Sequence, residues 1–119
     1  MSTAHPLFPA THSISAEAAR QWLSAGEAVL IDVRDPEEYA DERIAGAILV
    51  PLAGLDAASL PESGGKRIIL QCLTGKRSAI ALARLTEQGV GGLLHLEGGL
   101  LAWKKAGGAT IEADEAVAA

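Results

Sequence analysis

The sequence predicts an α/β fold, with a mostly parallel sheet of about five strands covered by helices on both faces, and three observations carry that prediction. Residues 28–33 read Ala-Val-Leu-Ile-Asp-Val, a continuously apolar and largely β-branched run of the kind buried on both faces. Such runs alternate with segments of helical periodicity, and helices supply the crossovers that parallel strands require. The 119 residues, 49% of them hydrophobic, suffice for one domain with one core.

Residues 1–12 hold Pro6 and Pro9 without periodicity and are read as an extended arm, with a short strand forming at 12–14. Ser15 is an N-cap, and Ala18, Ala19, Trp22 and Leu23 recur at helical spacing up to Gly26. After the strand at 28–33, Asp35 and Pro36 read as N-cap and first helical residue of a short helix reaching about Glu42. A short strand is expected at 47–50 and a short helix within 52–60, before the turn cluster Pro61-Glu62-Ser63-Gly64-Gly65. Residues 67–71 form a strand ending at Cys72, and 78–88 a helix closed by Gly89. A last strand at 93–96 leads through Gly98-Gly99 into a helix that carries Leu101, Ala102 and Trp103 and ends at Gly107-Gly108. The domain is thus assigned to 13–108, and 109–119, small and acidic without a stop signal, to a mobile tail.

A net charge of −5, with basic residues scattered in singles and in pairs such as Lys76-Arg77 and Lys104-Lys105, argues against a nucleic-acid footprint. The uncharged stretch 44–55 is too short to cross a bilayer and is broken by Gly46, Pro51 and Gly54, so no membrane association is expected. Residues 1–13 lack a basic segment followed by an apolar run, which leads to the expectation of a cytoplasmic protein. One cysteine and three dispersed histidines make neither an internal disulfide nor a structural zinc set, so no metal is expected. If Cys72 has a role, it is as a thiol.

Cys72 opens the stretch Cys72-Leu73-Thr74-Gly75-Lys76-Arg77-Ser78, between a buried strand and a helix. Backbone N–H groups of a tight loop entering a helix converge on one point, where the helix dipole also favours an anion. A cysteine there, beside cations, has its pKa lowered from about 8.5 into the range of about 3.5–7.5, giving a reactive thiolate without a histidine base. Gly75 allows backbone angles closed to other residues, and Lys76 and Arg77 are placed to draw in an anionic donor. The plainer alternative is a buried cysteine acting as a small hydrophobe.

Four segments in order resemble the rhodanese homology domain. They are 30–39 (Leu-Ile-Asp-Val-Arg-Asp-Pro-Glu-Glu-Tyr), 43–52 (Arg-Ile-Ala-Gly-Ala-Ile-Leu-Val-Pro-Leu), the loop 72–78, and 96–103 (Leu-Glu-Gly-Gly-Leu-Leu-Ala-Trp). The resemblance implies a three-layer α/β/α fold and a sulfurtransferase. In it Cys72 is the catalytic residue, while Leu73, Thr74, Gly75, Lys76, Arg77 and Ser78 form the loop that binds substrate and persulfide. It implies a sulfur donor such as thiosulfate or a persulfide, and an acceptor such as cyanide, a thiol or a protein. No cofactor is implied beyond a covalent cysteine persulfide. Arg43 and Ala45 stand where the family commonly has His and Pro, and Leu73 where a basic or polar residue is common, which bears on donor preference.

Asp32 and Arg34, at the carboxyl end of a strand, are read first as a structural pair bracing loops and second as supporting residues of the site. Arg43 is read as a solvated helix-end cation, with the mouth of the site as its second reading. Trp22 and Trp103 are read as core or partly covered residues, His95 as a satisfied sheet histidine, and His5 and His12 as part of the arm. Phosphatase or arsenate-reductase chemistry requires five residues between cysteine and arginine so that the loop can surround a tetrahedral oxyanion. Here Arg77 follows after four, which argues for the smaller sulfur atom as cargo. A third reading is a regulatory module or a carrier that hands sulfur to a protein partner, since fold and reactive atom do not define the acceptor.

Overall fold

The computed structural model describes residues 12–113. Along the chain run β1 (Ser13–Ile14), α1 (Ala16–Ser24), β2 (Ala28–Asp32), α2 (Pro36–Asp41), β3 (Glu42–Ile44), β4 (Ile48–Leu49), β5 (Arg67–Gln71), α3 (Lys76–Glu87), β6 (Leu93–Leu96), α4 (Gly99–Lys105) and β7 (Thr110–Glu112). The central sheet has the order β1-β6-β5-β2-β4, and every pairing in it is parallel.

Alternation along the two central strands creates the layers, because successive side chains of a strand point to opposite faces. Leu30 and Ile69 join one cluster with Ala16, Ala19, Leu100 and Trp103, so α1 and α4 cover that face. Ile31 and Leu70 join the other with Ala81, Leu82 and Leu85 of α3. Leu30, Ile31, Ile69 and Leu70 are at most 2% exposed, and burying each contributes about 1.5–3 kcal/mol before entropy is counted. A continuously apolar strand is what two covered faces demand, and the result is the three-layer α/β/α fold expected.

The helix starts follow their local chemistry. Ser15 caps α1 by accepting a hydrogen bond from Ala18 N–H at 3.2 Å. Asp35 and Glu38 form a capping box at the start of α2, with Pro36 at its first position. Trp22 is half-buried on α1 and stacks under the Arg67 guanidinium, 4.3 Å from the ring centre, whereas Trp103 is buried.

The helix expected within 52–60 is replaced by two 3-10 turns, Leu52–Gly54 and Ala57–Ser59. Asp56 starts its own capping box with Ser59, and Leu55 between the turns is 4% exposed, so burial and capping both interrupt a continuous helix. The helix at 36 gives way at Glu42 to extended backbone, which places Arg43 in β3 rather than at a helix end.

The chain end also corrects the expectation of a mobile tail from residue 109. Thr110–Glu112 form β7, antiparallel to β3, with Arg43 opposite Ile111. Side-chain bonds hold it: Trp103 Nε1 donates to Ala109 O at 2.9 Å, and Thr110 Oγ1 donates to the distant Glu42 Oε2 at 2.9 Å. Lys104 pairs with the same carboxylate at 3.0 Å, and its hydrogen bond is the main reason the Glu42 pKa is lowered. Residues 1–11 of the expected arm and 114–119 of the expected tail lie outside the described residues.

Candidate active site

Cys72 follows the last residue of β5 at the carboxyl end of the sheet, where ligands of open α/β sheets bind. Its residue is 1% exposed, as the plainer alternative required, yet the sulfur does not face hydrocarbon alone. Gly75 N–H donates to Sγ at 3.1 Å and Ser78 N–H at 3.3 Å, and Ser78 Oγ lies 3.6 Å from Sγ. Gly75 is the N-cap of α3 at φ +104°, in the left-handed region that favours glycine. Two main-chain donors at the start of a twelve-residue helix thus point at the only sulfur of a cysteine in the chain.

The loop is held from behind by α4. Leu100 N–H donates to Cys72 O at 2.8 Å and Leu101 N–H to Leu73 O at 3.2 Å. Gln71 Nε2 also donates to Cys72 O, at 3.0 Å. This close approach explains Gly99: at φ +60°, a Cβ there would stand 2.4 Å from Cys72 O and 2.5 Å from the Leu73 carbonyl. The Gly98-Gly99 pair is therefore part of how the cysteine loop is shaped.

The remaining loop residues divide. Leu73 packs toward the α1/α4 core, while Thr74 and Lys76 are exposed. Arg77 donates to Glu38 of α2 through Nη1 and Nη2, at 2.6 and 3.0 Å. That bidentate pair holds the Glu38 carboxyl down at about 2 and raises the Arg77 pKa. Arg77 is thus spoken for by Glu38, leaving Lys76 as the exposed cation of the loop.

Asp32 and Arg34 form the structural pair of their first reading. Asp32 is 0% and Arg34 3% exposed, with Arg34 Nη2 2.9 Å from Asp32 Oδ2 and 2.6 Å from Glu42 O. They tie the end of β2 to β3. Arg43 does not take the place of a solvated helix-end cation: its guanidinium lies over the Tyr39 ring, 5.1 Å from the centre, and bonds Tyr39 O.

Sequence reasoning missed two partners. Glu38 carried a helix-cap signal, three residues after Asp35, but nothing local announced its bond to a residue 39 positions away. His95 reaches Ser78: its Nδ1 is 3.2 Å from Ser78 Oγ. Burial pushes the His95 pKa down, opposed by the charge of Glu97. A hollow beside the loop is lined by Thr74, Gly75, Lys76, Ile80, His95 and Glu97, among others.

A three-layer α/β domain that presents a cysteine to main-chain donors at a strand-to-helix turn defines a class, and comparison with known proteins agrees. The chain belongs to the Rhodanese-like domain family, whose model matches residues 15–106. It is 40% identical over 104 residues to the uncharacterized protein slr1261 of Synechocystis, covering 87% of this chain and 58% of that one. A sulfurtransferase of Allochromatium vinosum is 34% identical over 99 residues, covering 81% of this chain and 91% of that protein. The human single-domain sulfurtransferase TSTD1 superposes with a TM-score of 0.70 at 25% identity, covering 79% of this chain and 96% of that one. The chain spans between about a quarter and just over half the length of the first curated relatives it matches. Its homologues include sulfurtransferases, and among the described residues no helix is long and apolar enough to cross a membrane.

Proposed function

We propose that the protein moves sulfane sulfur by double displacement through a persulfide on Cys72. The thiolate attacks the outer sulfur of a donor such as thiosulfate, the donor's S–S bond breaks, and sulfite leaves with the bonding electrons. A thiophilic acceptor such as cyanide, a thiol or a protein thiolate then attacks the terminal sulfur, and the Cys72 thiolate leaves. Dividing the transfer in this way predicts ping-pong kinetics. No resident cofactor takes part, since the persulfide itself is the carrier.

The observation that carries this reading is the pair of N–H groups, Gly75 and Ser78, donating to Sγ. They are placed to stabilise negative charge on an anionic persulfide at that sulfur. Lys76, exposed at the rim, supplies charge for an anionic donor. The test is intact mass spectrometry after incubation with thiosulfate. One added sulfur atom is expected on the wild type, removed by cyanide, and none on Cys72→Ser. Equal turnover by the two proteins would defeat the assignment, and phosphate release from an aryl phosphate would favour the phosphatase reading.

A further inference from the structure

Arg77 stands where its charge matters most to an anionic donor. It directly precedes Ser78, whose N–H donates to Cys72 Sγ at 3.3 Å. After the bond to Glu38, the charge of Cys72 is among the lesser causes that raise the Arg77 pKa, so guanidinium and sulfur lie within electrostatic reach. Yet Nη1 and Nη2 are both turned to the Glu38 carboxylate, at 2.6 and 3.0 Å. That fork is the one with which an arginine clamps an oxyanion. A donor that is to be clamped by Arg77 must therefore first displace a carboxylate already in place.

Glu38 is held in position from its own helix as well, since Asp35 N–H donates to its Oε1 at 3.0 Å. Its carboxyl, lowered to about 2, stays charged at neutral pH and does not release Arg77 by taking up a proton. The other charges close by also offset one another. Arg34 is bound to Asp32, and the exposed Lys76 is opposed by Asp35, whose charge also acts on Arg77. A sulfur beside this loop thus meets little net positive charge, although three basic side chains surround it.

We infer that Glu38 is a specificity-determining residue: by holding Arg77 in a neutral pair it turns the site away from the dianion thiosulfate and toward singly charged sulfane donors, persulfides of the form R–S–S⁻. The inference rests on the sulfurtransferase reading and selects among the donors that reading allows. The transfer balances alike for both kinds. The Cys72 thiolate attacks the outer sulfur, the donor's S–S bond breaks, and the leaving group takes the bonding electrons. It leaves as sulfite from thiosulfate and as the thiolate R–S⁻ from a persulfide, with the total charge unchanged in each case. The dianion brings one more negative charge to the same place, so it gains more from an unpaired arginine and loses more by its pairing.

The test compares two donors of similar size, thiosulfate and methanethiosulfonate, in which a methyl group replaces one charged oxygen. Second-order rates of sulfur loading onto Cys72 are measured by quenched-flow mass spectrometry in the wild type, Glu38→Gln and Arg77→Gln. The readout is the ratio of the thiosulfate rate to the methanethiosulfonate rate within each protein, because the fraction of reactive thiolate and any general loosening of the loop cancel in it. Glu38→Gln uncovers a positive charge and is expected to raise the ratio about threefold, as Coulomb's law gives for unit charges roughly 7 Å apart in a nearly aqueous medium. Arg77→Gln uncovers a negative charge and is expected to lower the ratio by a similar factor, and added salt to shrink both shifts. The two variants break the same ion pair, so a purely structural pair would leave the ratio unchanged or move it the same way in both. Either of those results overturns the inference while leaving the sulfurtransferase reading intact. Failure of both donors to load the wild type is a distinct result, and it overturns the reaction and this inference together.

Discussion

Replacing Gly99 by alanine tests how the cysteine loop is held in shape. The substitution incurs two costs that can be separated. At φ +60° an L-residue costs about 1–2 kcal/mol through its own Cβ. The new Cβ would in addition stand 2.4 Å from Cys72 O and 2.5 Å from the Leu73 carbonyl, and main-chain atoms cannot swing aside as a flexible side chain would. Relief requires α4 to withdraw, which lengthens the bonds from Leu100 N–H and Leu101 N–H to those two carbonyls. Overpacking of this kind costs about 1–3 kcal/mol, so the whole loss is about 2–5 kcal/mol, a large share of a typical domain's stability. Gly46→Ala is the control, because its φ is +84° and nothing lies within 4 Å of the added Cβ. Urea unfolding should show Gly99→Ala losing at least about 1 kcal/mol more than Gly46→Ala, with an altered Cys72 thiolate titration in the Gly99 variant alone. Equal losses in the two variants, with unchanged titration, would refute the claim that α4 shapes the loop.

Asp32→Asn should cost about 3–5 kcal/mol in urea unfolding, because it leaves the buried Arg34 guanidinium without its counter-charge. Glu38→Gln should cost under about 1 kcal/mol at neutral pH, since the pair with Arg77 is about one-third exposed. The folded Glu38 carboxyl sits at about 2 against 4.5 for a free one, so its contribution is complete above about pH 4.5 and is lost as pH falls toward 2. The wild-type advantage over Glu38→Gln should therefore vanish across that window, as followed by thermal melting. The same variant frees Arg77 beside the loop and should lower KM for thiosulfate a few-fold in steady-state assays. Trp103→Phe should cost about 1 kcal/mol through loss of the bond to Ala109 O, and faster amide exchange across β7 would confirm it.

The layers were legible because both periodicities appear within single runs of residues. The apolar run 28–33 needs two covered faces, and Ser15 and Asp35 announce helix starts by local hydrogen bonding alone. The cysteine loop was legible for the same reason, since Cys72, Gly75 and Ser78 lie within seven residues and their contacts are local. What stayed hidden depends on distant partners. The pairing of β3 with β7 joins residues about seventy positions apart, and three-residue strands carry too little pattern to be read alone. Arg77 looked free to meet a donor because Glu38 lies on another helix, and His95 looked like sheet filling because Ser78 reaches it from α3. The split of 52–60 into two turns had a local cause in Asp56 and Ser59, but the buried position of Leu55 did not.

The distribution of strand lengths bears on how the protein behaves in company. An outer strand offers its unpaired N–H and C=O groups as a template on which another chain can build, the starting point of fibrous association. Here the longest strands, β2 and β5, lie inside the sheet, and the outer ones, β1 and β4, are two residues each. Such brief margins give a stray strand little to grip. Variants that loosen the domain should accordingly stay dispersed until they unfold as a whole.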